Sequence, residues 1–209
     1  MEYVLVAGAT GTTGKKIVNL LKSSQYFEPI AMVRTEQQKV EFLAHDVKSV
    51  VADLEQDVSH VTKNINKVIF AAGSGGKNVE AVDQEGAKKL VTASKNENIK
   101  KFVMLSSMGA DKPEESEKLQ DYLKAKHNAD EFLKSSGLTY AIVRPGSLNN
   151  EKGQGKIKIA KSLSQQGEIT RDDVAQTLVR SLHDDAPHNS TFEILQGDTL
   201  IGKAFERLS

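Results

Sequence analysis

The chain has no cysteine among its 209 residues. That excludes a disulfide scaffold, thiolate metal sites and thiol catalysis, and it fits a reducing compartment. Neither sign of charge is in excess, since 28 Lys+Arg balance 28 Asp+Glu. No overall field therefore favours nucleic acid or an anionic membrane. No apolar run approaches the roughly 18 residues of a membrane-spanning helix. The run Tyr3 to Ala7 lacks the basic flank and the length of a secretory leader. These absences predict a cytoplasmic protein with a small-molecule substrate and neither nucleic acid nor membrane as partner; the oligomeric state stays open. The histidines at 45, 60, 127, 183 and 188 are scattered. None pairs with acids at metal-ligand spacing, so no metal site is expected. There is no repeat, low-complexity segment or linker, and residues 1–209 read as one domain.

What is present is an alternation of strands and helices. Tyr3–Ala7 is a short continuous apolar run, the pattern of a strand buried on both faces. Further strands are predicted at Pro29–Val33, Ser49–Ala52, Lys67–Ala72, Phe102–Leu105, Tyr140–Val143 and Phe192–Leu195. Helices are predicted from the stripe Ile17, Leu20, Leu21, over Glu36–His45, Lys77–Asn96 and Glu114–Ser135, and from Thr170 to about His183, with a short one at the end. Thr170 reads as an N-cap, with Asp172 and Asp173 in the first turn. The fold class that follows is α/β, a doubly wound Rossmann-type parallel sheet with helices on both faces. The polar, glycine-containing segment Asn149–Gly167 is expected to be a mobile loop or small hairpin over a cleft.

The first strand runs into Gly8-Ala9-Thr10-Gly11-Thr12-Thr13-Gly14, which opens a helix. The glycines allow a tight turn and a close approach of backbone to a pyrophosphate, and the helix N-terminus offers free N–H groups. The spacing is GxxGxxG, a variant of the dinucleotide fingerprint. It is not a P-loop, because position 9 is Ala and neither Ser nor Thr stands at 16. An acid about twenty residues beyond the glycines usually grips the ribose of NAD. Arg34 stands there instead. A guanidinium pairs with a 2′-phosphate that a carboxylate would repel, so Arg34 points to NADP. Glu36 is the nearest acid and keeps NAD open, and a solvated surface role for Arg34 is the alternative.

Other candidates sit at predicted strand ends. Asp53 and Leu54 follow the third strand, where an adenine would lie; a turn or cap aspartate is the other reading. Ala71, Ala72 and Gly73 close the fourth strand with small side chains, suited to a ribose and pyrophosphate or simply to a turn. Ser106 and Ser107 follow the fifth strand, placed to orient a substrate carbonyl or to bond local backbone. Pro145 and Gly146 end the sixth, where backbone N–H groups would face a carboxamide. Positions 122, 125, 126, 129, 132 and 133 share a helix face. They hold Tyr, Ala, Lys, Ala, Phe and Leu, so Lys126 interrupts an apolar stripe one turn from Tyr122. A lysine there needs a partner, water or a ligand, or it snorkels to the edge. Its ammonium favours a Tyr122 phenolate, which suits Tyr122 to proton exchange near neutral pH.

Together the segments VLVAGATGTTG, AMVR, VVADL, VIFAAGSGG, KKFVMLSSMGAD, YLKAKHNADEFLKSSGLTYAIVRPG and ITRDDVA resemble the short-chain dehydrogenase/reductase superfamily, in its atypical branch. That branch includes NmrA-like regulators, flavin and biliverdin reductases, and small bacterial epimerase/dehydratase proteins. The resemblance implies a Rossmann sheet binding NAD(P)H. It matches Tyr122 and Lys126 to the YxxxK pair and makes Ser107 the candidate for the catalytic hydroxyl. The family's Ser/Thr usually lies slightly further along than the Ser106-Ser107-Met108 stretch. Residues 147–209 leave little room for a sugar-nucleotide domain. The activity implied is an NADP-dependent oxidoreductase acting on a small carbonyl or aromatic redox substrate. The alternatives are a non-catalytic NAD(P)H-binding redox sensor and an epimerase or dehydratase.

Overall fold

In a computed structural model describing residues 1–208, the apolar runs become the middle of one sheet; Ser209, the last residue of the expected domain, lies outside the described residues. Strand β1 (Glu2–Ala7) has Val4 to Ala7 fully buried. It pairs in parallel with β2 (Phe27–Val33) on one side and β4 (Lys67–Phe70) on the other, so that Leu5 faces both Ile30 and Val68. Beyond β2 lies β3 (Lys48–Val51). Beyond β4 come β5 (Lys101–Leu105), β6 (Tyr140–Pro145) and β10 (Ser190–Gln196), all parallel. Side chains alternate along β1 because successive residues of a strand point to opposite faces. Val4 and Val6 pack with α1 (Thr12–Lys22) and α5 (Arg171–Arg180) through Ile17, Val18, Leu21, Val174 and Leu178. Leu5 and Ala7 join Leu90, Val91 and Leu133 of α3 (Ala87–Asn96) and α4 (Gln120–Ser135). The chain order reverses between β1 and β4, and a crevice at the carboxyl ends of the strands is the geometric consequence.

Three segments differ from the sequence reading. Asn149–Gly167 is neither a free loop nor a hairpin. It contains β8 (Lys156–Ala160), which adds antiparallel to β10 and carries the two-residue β11 (Thr199–Leu200) at the edge. Ile157 and Ile159 are buried between exposed Lys156 and Lys158, the alternation of a half-buried strand. A separate pair, β7 (Ser147–Asn149) with β9 (Glu168–Thr170), closes the segment. Buried Asp173 accepts the amides of Gln154 and Gly155 at 3.1 and 2.7 Å, and Asp172 accepts that of Gly153 at 3.1 Å. The carboxylates read from sequence as first-turn residues thus also hold this loop, while Thr170 caps α5 through the Asp173 amide as expected.

The second difference is at α4, which starts at Gln120 and not at Glu114. Pro113–Glu115 form a tight turn, and the Ser116 hydroxyl accepts the Leu119 amide in a break before the helix. The third is the long helix expected over Lys77–Asn96. Gly75 and Gly76 take positive φ and hold the chain out as a loop. The helix then opens with a π-helical stretch, Val79–Gly86, before α3. On α2 (Glu36–Leu43), Val40 and Leu43 are exposed and the helix buries no residue. A short α6 (Ile201–Phe205) and a 3-10 turn (Glu206–Leu208) end the described chain. Among the described residues no helix is long and apolar enough to cross a membrane.

Candidate functional site

The glycine turn after β1 shows what each glycine does. Gly8 takes φ +88°, and a Cβ there would stand 2.6 Å from the Ala72 nitrogen. A Cβ on Gly14 would lie 2.0 Å from the Gly8 oxygen. Both are needed for the loop to fold against β4 and α1. Gly11 is different: its Cβ would meet only the Gly8 oxygen, at 3.3 Å, and the residue lines a cavity. Gly11 caps α1 without a side-chain bond, and the first turn holds no acid. The amides of Thr12, Thr13 and Gly14 therefore keep the free donors and partial positive charge of a helix N-terminus.

That cavity, about 700 Å³, runs along the carboxyl ends of β1 to β4. Of the residues singled out in the sequence it is lined by Gly8, Thr10, Gly11, Arg34, Asp53, Leu54, Ala71, Ala72 and Gly73. Met32, Ala52, Glu55, Ser74, Gly75, Lys77, Asn78 and Val82 complete the wall, and no sequence motif points to them. Arg34 is exposed at the cavity. Its amide donates to Gln38 Oε1 at 2.8 Å, and among the described residues no carboxylate pairs with its guanidinium. Asp53 spends Oδ1 on the Glu55 amide at 3.0 Å, so the turn role and the cavity position both hold.

A second cavity, about 820 Å³, opens beyond the ends of β5 and β6. Ser107, Tyr122, Pro145 and Gly146 line it. The Ser107 hydroxyl donates to the Met108 oxygen at 3.2 Å. Ser106 lines neither cavity. It is buried and its hydroxyl donates to Asp130 Oδ2 at 2.9 Å, which removes it from direct contact with a ligand. Nor are the expected backbone donors of the sixth strand end available. Pro145 has no N–H, and the Gly146 amide donates to the Ile194 oxygen at 3.1 Å. Gly146 is required for another reason, since a Cβ there would stand 2.3 Å from the Gly167 oxygen.

Lys126 lies between the two cavities and is 3 % exposed. It has the partner the sequence left unnamed. Asp83, on the π-helical turn and 1 % exposed, places Oδ1 at 3.2 Å from Lys126 Nζ. Asp83 Oδ2 accepts the Ser74 amide at 3.0 Å, and Ser74 lines the first cavity. On its other side Lys126 Nζ stands 5.7 Å from the centre of the Tyr122 ring. Burial works against its charge, but the Tyr122 oxygen, Asp83 and Asp130 outweigh it, and the pKa of Lys126 is held above the usual lysine value. Phe132, counted on the same face, is 37 % exposed and marks the edge of the stripe.

Behind Ser106 sits a further buried group. Arg144 Nε and Nη2 donate to Asp130 Oδ2 at 3.0 and 2.9 Å, and Nη1 lies 3.5 Å from Asp111. His127 bonds the Ala110 oxygen at 2.8 Å. These contacts hold the 106–111 loop against α4. A charged Arg144 between Val143 and Pro145 in a buried strand was the sequence signal for this group. Asp83 and Asp130 gave no periodic signal.

The first cavity fits a dinucleotide. Gly11, the N-cap of α1, lines it, while Thr12, Thr13 and Gly14 lie behind it in the first helical turn; its small strand-end residues suit close backbone contact, and a free guanidinium stands at the end of β2. Comparison with known proteins agrees: a family model described as NAD(P)H-binding matches residues 8–185. The chain belongs to this NAD(P)H-binding family. The uncharacterized sugar epimerase YhfK of Bacillus subtilis is 39 % identical over 213 residues, covering 98 % of this chain and 99 % of that one. A proposed NAD-dependent epimerase/dehydratase of Bacillus halodurans superposes with TM-score 0.95 at 39 % identity over all of both chains. The oxidoreductase ylbE of Lactococcus lactis gives TM-score 0.89 at 30 % identity, over 99 % of this chain and 96 % of that one. The Rossmann fold and the resemblance to atypical short-chain dehydrogenases/reductases are thus borne out.

Proposed function

We propose that this NAD(P)H-binding protein is an NADP(H)-dependent oxidoreductase acting on a small carbonyl compound. The observation that carries the reading is the continuous array from cavity to cavity: Ser74 amide, Asp83, Lys126, Tyr122. The bound dinucleotide would supply or accept the hydride. Gly11 and the first turn of α1 would hold its pyrophosphate, Arg34 its 2′-phosphate, and Asp53 and Leu54 its adenine. Tyr122, at the wall of the second cavity, would exchange a proton with the substrate oxygen, and Ser107 in the same wall would orient that oxygen. Lys126, 5.7 Å from the centre of the Tyr122 ring, would hold that ring in place and reach toward the cofactor ribose. The cysteine-free composition accords with a cytoplasmic setting.

The names of the two 39 %-identical relatives support a second reading. An epimerase or dehydratase would use the same tyrosine for a transient oxidation, with no net use of cofactor. The test is to follow NADPH consumption with small aldehydes and ketones, in wild type and Tyr122→Phe. The oxidoreductase reading expects net oxidation, NADPH affinity unchanged in Tyr122→Phe, and turnover reduced by about 10²–10⁴-fold, the usual worth of a general acid–base group. Turnover within a factor of a few of wild type rejects the proton-exchange role of Tyr122. Product formation without net NADPH loss favours the epimerase.

A further inference from the structure

The walls of the second cavity carry a chemistry of their own. The β8–β9 connection lines it with Ser162, Ser164, Gln165 and Gln166, and Ser147 and Ser116 add two more hydroxyls. These groups offer donors and acceptors together. The charged groups of the wall are three carboxylates, Asp111, Glu115 and Glu193, against one ammonium, Lys112. That ammonium is already 3.1 Å from Glu115. Arg144, the guanidinium behind the wall, is 6 % exposed and committed to Asp130 and Asp111. Lys158 donates to Gln165 Oε1 at 3.0 Å. Glu193, 5 % exposed, is held by the Leu163 amide.

An entering phosphate or carboxylate would therefore meet an excess of negative charge and no uncommitted cation. A flat aromatic ligand would fare no better. Tyr122 is the one aromatic ring in the lining, and the chain has no tryptophan. A hydroxyl-rich neutral molecule meets matching groups on several sides, in a space large enough for a sugar-sized ligand. We propose that this cavity binds an uncharged polyhydroxylated carbonyl compound, in preference to its phosphorylated counterpart and to flat aromatic redox compounds. The turnover part of this inference rests on the oxidoreductase reading. There the carbonyl carbon gains a hydride from the reduced dinucleotide, which is oxidised, and the oxygen gains the Tyr122 proton, giving the alcohol. The binding preference depends only on the wall.

Ligand-observed saturation-transfer NMR tests it, with D-xylulose, D-xylulose 5-phosphate and riboflavin as probes, with and without NADPH. D-xylulose is expected to bind at least tenfold tighter than its 5-phosphate and in preference to riboflavin. The double variant Ser164→Ala with Gln166→Ala should weaken D-xylulose at least threefold while unfolding at the wild-type temperature. Equal or tighter binding of the phosphate, preferred binding of riboflavin, or no binding of D-xylulose overturns the proposal. NADPH binding, measured separately by calorimetry, shows whether the cofactor reading has failed instead. The ranking of the three probes on the cofactor-free protein stands or falls without it.

Discussion

Replacing Arg34 by alanine removes the guanidinium that the proposed reading assigns to a ribose 2′-phosphate. The side chain is exposed at the 700 Å³ cavity and its guanidinium has no carboxylate partner among the described residues. Nothing in the protein need be broken for it to turn to a 2′-phosphate. A charge-assisted hydrogen bond contributes about 1.5–3 kcal/mol, and exposure at physiological salt, with a Debye length of about 8 Å, cuts this back. Asp53 and Glu55 share the cavity and oppose the phosphate. At ~8 Å in a water-like medium each costs about 0.5 kcal/mol. The Glu55 carboxylate is moreover engaged by Asn78 at 3.1 Å. The net preference for NADPH over NADH should be about 1.5 kcal/mol, or roughly tenfold. Isothermal titration of both cofactors should show NADPH affinity falling about tenfold in Arg34→Ala, with NADH changed less than threefold. Raising the salt should narrow the wild-type preference. Equal affinities in wild type, or an equal loss for both cofactors in the variant, would refute the argument.

Two further predictions separate folding from binding. Gly14→Ala drives a methyl to 2.0 Å from the Gly8 oxygen, a backbone atom that cannot yield; a loss of about 3 kcal/mol in urea unfolding is expected. Gly11→Ala meets the same oxygen only at 3.3 Å, so it should stay within about 1 kcal/mol of wild type yet weaken NADPH binding about tenfold. At the other end of the sheet, Lys101 is 1 % exposed and donates to the His183 and Ala186 oxygens. Burial first, and then Lys67 beside it, push its pKa down from 10.5 to about 8. The unfolded chain then holds more protons than the folded one between those two values, so stability rises with pH across that window. Wild type should gain up to about 3 kcal/mol relative to Lys101→Met from pH 8 to 10.5. A pH-independent difference between the two would dismiss the effect.

How much of this was legible in the sequence depended on the range of the interaction. Val4 to Ala7 announce a buried parallel strand because both neighbours are apolar sheet. Gly8, Thr10, Gly11, Arg34 and Asp53 come together at one cleft because the loops that carry them follow neighbouring strands. The β8 strand was hidden by its setting. Its alternation covers only Lys156 to Ile159, inside a segment rich in polar residues and glycine. Ser106 and Ser107 were adjacent and chemically equal in the sequence. Their roles are divided by Asp130, which pairs with Ser106 from a helix that starts well downstream. Neither Asp83 nor the 162–167 wall could be read from local pattern, since both are defined by what they meet across the fold.

Asp83 also explains how a lysine can stand on an apolar helix face. An isolated buried ammonium would lose its proton or its place. Here a carboxylate, itself almost wholly buried, stands 3.2 Å away. Such a pair recovers its desolvation cost only with good geometry and supporting bonds, so it speaks more for placement than for stability. The supporting bond is the Ser74 amide on Asp83 Oδ2, while Lys126 has the Leu105 oxygen at 3.4 Å. A Cβ on Gly73 would lie 3.3 Å from Asp83 Oδ1, close enough that the carboxylate would have to give way slightly. The π-helical turn that carries Asp83 is a deviation of the kind often found at functional sites. The ammonium near Tyr122 is therefore placed by the loop that lines the first cavity, which joins the two cavities through one buried charge pair.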